Sequence, residues 1–180
     1  AAAHHAKASS LLALANWIGA QTGAAVGYLT EAANTVGAQL AGALPGAGGL
    51  NAAQMLSGGC KVTILLNTEP VQDSAAGAAA AKALAGAGMV VTLSPFKANL
   101  DFSDVLLPIA PFTETSGSFV NAEGRVQGFH AVVKPLGETR PGWKVLRVLG
   151  NLLGLSGFDF ESSQDVLAKV QALPLQLSNA

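Results

Sequence analysis

The 180 residues are half hydrophobic, only 12% charged, and carry a formal net charge of −1. A typical soluble domain has about 25% charged residues, so this chain covers its own surface poorly, and without a basic run it is not built for nucleic acid. One cysteine, Cys60, leaves no disulfide framework and no cysteine-based zinc or iron–sulfur site within the chain.

The charge deficit is uneven, because Lys7 and Glu31 are the only charged residues in 1–60. Apolar surface left exposed on that scale marks interaction surfaces, which points to a chain that belongs inside a larger assembly. Mean hydropathy is +0.41, yet the charge-free runs 8–30 and 32–60 are diluted by Gly, Asn, Gln, Ser and Thr. No membrane span is therefore expected. The opening AAAHHAKASS lacks an initiator Met and the basic-then-apolar order of a signal peptide, and reads as a tail over 1–10. A single α/β domain is expected over 11–174, long enough to bury a core, with a second tail at 175–180.

Ser9 or Ser10 can cap a first helix in which Leu11, Leu14, Trp17 and Ile18 recur at helical spacing, with Gly19 and Gly23 ending it. Ala24 to Leu29 reads as a short strand, and Thr30 with Glu31 could open a helix through Leu40. Five of the eight residues from Gly42 to Gly49 are Gly or Pro, which makes a loop. A short helix over Asn51 to Leu56 leads through Gly58-Gly59 to the strongest signal in the chain. Val62 to Leu66 is an apolar run of strand length, an Ala-rich helix capped by Asp73 or Ser74 runs to Ala85, and Met89 to Leu93 is a second apolar run. Continuous apolar strands suit a parallel sheet covered on both faces, here one right-handed βαβ unit. Gly77, inside that helix, costs roughly 1 kcal/mol against Ala and needs a packing reason.

Val105 to Leu107 is a third strand, stopped by Pro108, which cannot donate to a ladder. Ser118-Phe119-Val120 and Arg125-Val126-Gln127 flank the turn Asn121-Ala122-Glu123-Gly124, where Gly124 supplies the positive φ of a tight reversal. Pro141 opens a helix with Trp143, Leu146, Leu149 and Leu153 on one face and Lys144, Arg147 and Asn151 on the other, ended by Gly154. Ser162 to Asp165 starts a last helix in capping-box fashion, with Val166, Leu167, Val170 and Leu173 inward until Pro174. The architecture is α/β, three-layered, with a mostly parallel sheet.

Ligands of such sheets sit beyond the carboxyl ends of the strands: here the loops 67–73 and 94–97 and the segment after Pro108. The loop from Asn67 to Asp73 holds no Gly, and Glu69 and Asp73 would repel a pyrophosphate. His4 and His5 lie in the tail and His130 stands alone, so no metal ligand set forms. No G-x-S-x-G elbow precedes His130, and Cys60 is expected as a small buried thiol. Asp104, Glu114 and Glu123 are not brought together by spacing. Arg125 with Glu123, Asn121 and Glu114 is the best polar constellation, suited to pin a loop through an Arg–carboxylate pair or to touch a cofactor or neighbouring domain.

The segment DVLLPIAPFTETSGSFVNAEGRVQ resembles the molybdopterin oxidoreductase family, in which a D-V-x-L-P strand leads to E-x-x-G-x-x-x-N-x-E-G-R. Glu114, Gly117, Asn121, Glu123, Gly124 and Arg125 match that pattern. Residues 131–150, AVVKPLGETRPGWKVLRVLG, are similar to the large iron–sulfur subunit of bacterial respiratory complex I. That resemblance implies a molybdopterin-oxidoreductase-like Rossmann-type fold serving as a non-catalytic scaffold, with no catalytic, cofactor or metal residues of its own. Its iron–sulfur clusters would lie elsewhere in the parent chain, and the parent complex would pass electrons from NADH to quinone. Partners would be the rest of the subunit and neighbouring peripheral-arm subunits, on the cytoplasmic side of a bacterial inner membrane. The alternative is a cofactor-contacting part of a formate-dehydrogenase-like molybdoenzyme, for which Asn67, Glu114, Asn121, Glu123 and Arg125 are the contact residues. An independent nucleotide-binding module is a weaker third.

Overall fold

The structure, a computed structural model, describes residues 5, 7–30 and 32–173. Its centre is the βαβ unit that the apolar runs call for. Strands β1 (Val62–Leu66), β2 (Met89–Ser94) and β3 (Val105–Pro108) form a parallel sheet in the order β1-β2-β3. Val62 pairs with Met89 and Leu66 with Leu93 on one side of β2; Val91 pairs with Val105 and Ser94 with Pro108 on the other. Pro108 is the last strand residue, as a residue without an N–H must be in a ladder that stops there. Asp104 secures the entry to β3, its carboxylate accepting from the Val90 N–H at 2.7 Å. The second sheet is the expected hairpin, β4 (Gly117–Val120) against β5 (Val126–Phe129), antiparallel and closed by Gly124 at φ +80°.

Helices fill the remainder: α1 (Ala8–Thr22), α2 (Thr35–Leu40), α3 (Ala52–Met55), α4 (Pro70–Asp73), α5 (Ala78–Ala85), α6 (Gly142–Leu152) and α7 (Ser163–Gln171). Leu65, Leu84 and Val90 form the core where α5 lies on the sheet, with Leu56, Ala87 and Phe102 packed around them. Each such side chain, fully removed from water, is worth about 1.5–3 kcal/mol.

Several expectations give way. Residues 8–10 are helical, and no side chain caps α1; its end is Gly23 in the left-handed conformation, while Gly19 is buried within the helix. Residues 24–30 carry no strand, since no neighbouring strand offers them a ladder; α2 starts at Thr35, and Glu31 lies outside the described residues. The Ala-rich helix starts late, at Ala78, and the short α4 precedes it as a separate turn. Asp73 points back to the loop before it, and Gly77, at φ +53°, is the entry residue of α5, a conformation that costs an L side chain energy and glycine little. Burial of β1 alternates: Thr63 and Leu65 are 9% and 6% exposed, Val62 and Ile64 57% and 49%. The apolar run therefore does not imply cover on both faces at this edge strand.

Cys60 is half-buried rather than buried. Arg147, expected on the solvent side of α6, is half-buried and donates from Nη1 to the Phe160 carbonyl at 2.7 Å, while Leu153 is exposed. The capping box of α7 is present, with Ser162 and Asp165 exchanging hydrogen bonds; Val166, Leu167 and Val170 are half-buried, Leu173 is exposed, and Pro174 lies outside the described residues.

Candidate functional site at the carboxyl edge of the sheet

Three loops meet water beyond the carboxyl ends of β1, β2 and β3. Asn67, directly after β1, sits at φ +49°, a left-handed conformation that Asn tolerates better than most residues. Its N–H donates to the Leu93 carbonyl at 2.8 Å, so it prolongs the ladder and is not free for a ligand. The turn that follows is closed from within. The Asp73 carboxylate accepts from the Glu69 N–H at 2.7 Å and from the Thr68 hydroxyl at 3.2 Å. After β2, Asn99, also left-handed at φ +60°, donates its side-chain amide to the Thr68 carbonyl at 3.0 Å and ties this loop to the first. Lys97 is exposed on the same loop.

Beyond β3 the chain is pinned in steps. Ala110 donates to the Arg140 carbonyl at 2.8 Å, and Ile109 bridges to Arg140 in parallel. A 3-10 turn, Phe112–Glu114, then aims the Glu114 carboxylate at the Leu136 N–H, 2.9 Å away. In the hairpin Phe119 and Phe129 stack with ring centroids 5.1 Å apart. The Asn121 side chain accepts from the N–H groups of Glu123 and Arg125 at 3.0 and 2.9 Å, which is the Asx arrangement that organises a tight turn. Asn34, at the start of α2, accepts from the Val120 N–H at 2.9 Å and anchors the hairpin from outside.

The polar constellation read from the sequence thus divides. Glu114 and Asn121 do pin backbone, Glu114 at Leu136 and Asn121 within its own turn. Glu123 and Arg125 are exposed, and among the described residues neither side chain makes an ion pair or hydrogen bond. Among the described residues no Arg–carboxylate pair locks the loop; the Asn121 side chain supplies the turn's acceptor. Asn67 belongs to the parallel sheet and the other four residues to the segment after β3, with no hydrogen bond joining the two groups among the described residues. Asp104 is engaged at the opposite, amino end of β2 and stands apart from Glu114 and Glu123. His130 is exposed at the end of the hairpin. Among the described residues no three His, Cys, Asp or Glu side chains converge on a metal-sized site.

Sequence reading overlooked two features. A cleft of about 540 Å³ next to Glu114 is lined by Lys134, Arg140 and Lys144 and by Glu161 at the approach to α7. The crowding of cations between 134 and 147 was the signal for it. An apolar groove of about 550 Å³ runs between α2, the hairpin and α7, lined by Leu40, Val120, Trp143, Val166, Leu167 and Val170.

A pterin dinucleotide needs unspent N–H donors or cations for its pyrophosphate. The crossover turn does not fit it: the Glu69 N–H is given to Asp73, whose negative charge stands where a phosphate would have to lie. Cys60 precedes β1 at the sheet's amino end, far along the strand from this edge.

Comparison with known proteins supplies what the geometry alone does not. The molybdopterin oxidoreductase family model matches residues 1–152. A Staphylococcus aureus protein (strain bovine RF122 / ET3-1), named as a candidate formate dehydrogenase, is 35% identical over 72 residues. Bacillus subtilis (strain 168) YjgC, named as an oxidoreductase, is 37% identical over 73 residues. These matches take in 40% and 41% of this chain and 7% of the length of each relative. With a family match over most of its length and a parallel α/β core of the kind expected, the chain belongs to the molybdopterin oxidoreductase family.

Proposed function

We propose that the chain is part of a formate-dehydrogenase-like oxidoreductase subunit, where it acts as a supporting α/β unit beside the cofactor. The observation that carries this reading is the local identity to relatives bearing formate dehydrogenase and oxidoreductase names. Under it, Asn67, Glu114, Asn121, Glu123 and Arg125 are the residues that the chain turns toward the cofactor side. Their roles differ. Asn67, Glu114 and Asn121 set backbone shape, whereas Arg125, exposed and without an ion-pair partner among the described residues, carries a guanidinium that suits an anionic group. No chemical step runs through this chain's own side chains.

A second reading is the large iron–sulfur subunit of respiratory complex I, with the chain as scaffold among peripheral-arm subunits and the clusters elsewhere in the parent. The turn at Asp73 favours it, since the Glu69 N–H is already given to the Asp73 carboxylate, whose charge opposes a pyrophosphate, and so does the similarity of 131–150. Metal and pterin analysis of the purified full-length parent separates the two. Stoichiometric molybdenum or tungsten with pterin supports the first reading and removes the second; a parent free of molybdenum, tungsten and pterin but carrying iron–sulfur clusters does the reverse.

A further inference from the structure

The cleft of about 540 Å³ beside Glu114 takes its lining from the approach to the hairpin, the segment 131–140, the start of α6 and the approach to α7. None of the lining residues belongs to the loops 67–73 and 94–97. Three of them are cations, Lys134, Arg140 and Lys144, facing the carboxylates of Glu114 and Glu161. Glu114 is already engaged, accepting from the Leu136 N–H at 2.9 Å. Among the described residues neither lysine makes an ion pair, and Arg140 meets only Glu138, at 3.9 Å, whose side chain is 94% exposed. A pair that long and that wet holds weakly and yields to a ligand.

We infer that this cleft binds a small polyanion of the diphosphate type. Its arginine is set in place beforehand. Nη1 of Arg140 donates to the Thr139 and Gly137 carbonyls at 2.8 and 3.4 Å, and the Arg140 carbonyl accepts from the Ala110 N–H at 2.8 Å, just past β3. The rest of the guanidinium, bound to no acceptor beyond the long contact with Glu138, can serve a phosphate oxygen. Two hydroxyls add donors. Ser116 and Ser162 each accept an N–H, from Ala131 at 3.4 Å and from Asp165 at 3.1 Å, so each keeps its own proton to give. No side chain caps α6, and the positive end of that helix strengthens the field on the same side. Cations on both the 131–140 segment and α6 match a ligand with charge at two groups better than a lone carboxylate or phosphate. The inference does not rest on which oxidoreductase subunit the parent is.

Calorimetric titration of the purified full-length parent with inorganic pyrophosphate, at constant ionic strength, tests it. Saturable binding is expected, and replacing Lys134→Gln and Lys144→Gln together should weaken it about tenfold. Both lysines are exposed, so their replacement leaves the core intact and lost binding is not lost folding. Lys97→Gln, an exposed lysine on the loop after β2, controls for diffuse surface charge and should change the affinity less than about twofold. Glu161→Gln removes the lining carboxylate that opposes the ligand and should tighten binding about twofold. Succinate and orthophosphate should bind at least about fivefold more weakly than pyrophosphate. Absence of saturable binding at millimolar pyrophosphate overturns the inference. So does a double variant that binds like the unaltered parent, a loss at Lys97→Gln as large as in the double variant, weaker binding at Glu161→Gln, or succinate binding as tightly as pyrophosphate. None of these readouts depends on molybdenum or on an iron–sulfur cluster, so failure here is distinct from failure of the functional reading.

Discussion

The middle of the chain and its flanks are held together by different physics. Every buried hydrophobic residue among the described ones lies between Leu65 and Val120. By contrast, α1 buries only Gly19, α6 only Gly150, and α2, α3 and α7 no residue at all. The flanking helices rely on local devices: a capping box at Asn51 and Gln54, another at Ser162 and Asp165, and a left-handed glycine after α1. Short helices held this way are marginal in water, since most helical stability comes from tertiary packing. The exposed Leu11, Leu14, Trp17 and Ile18 of α1 show what is missing. The centre stands by burial; the flanks stand by local caps.

The largest effect should come from the centre. Leu84→Ala removes a side chain that is 2% exposed and in the Leu65–Val90 cluster, and should cost about 2–5 kcal/mol, read as a lower midpoint in urea unfolding. Loss of less than about 1 kcal/mol would mean that the centre is as loosely packed as the flanks. Next is the flank. Ser162→Ala deletes the acceptor for the Asp165 N–H and should cost about 1 kcal/mol, with helical signal falling at α7 and the sheet unchanged. Ile64→Ala, on the open face of the same strand whose other face is packed, should change stability of the chain by no more than about 0.5 kcal/mol. A much larger loss at Ile64 would show that its face is already covered.

How legible each region was follows the same division. The three parallel strands could be read because Val62-Leu66, Met89-Leu93 and Val105-Leu107 are largely apolar runs flanked by polar residues, Gly or Pro. The hairpin and the Ser162 box could be read because their side chains act within four residues of themselves. What failed depended on distant groups. Residues 24–30 have strand-like composition, but a strand needs a partner. Ala75-Ala76 favour helix, yet Gly77 breaks it, and no propensity of the neighbours foretells that. At the candidate site, the Gly-free acidic turn at 67–73 was legible, but not that Asp73 would turn back to fill the Glu69 amide. It proposed an Arg125–carboxylate pair where Asn121 had already satisfied the turn.

The smallest effect, and the most specific to the flanks, is one of pH. Hydrogen bonds from Ser162 and from the backbone N–H groups of Ser162 and Glu161 hold the Asp165 carboxyl below the ordinary aspartate range, outweighing a slight opposing effect of desolvation. A carboxylate depressed in the folded state binds protons less readily than in the unfolded one. Its contribution is therefore complete above the unfolded aspartate pKa of about 4, and is lost as pH falls through the lower folded value. Unfolding titrations between neutral and strongly acidic pH should show a decline on that acid limb which Asp165→Asn removes, leaving the slope near neutrality untouched. If Asp165→Asn leaves that limb unchanged, then the α7 cap is silent and the division between a buried centre and locally capped flanks fails at the flank where it was drawn most sharply.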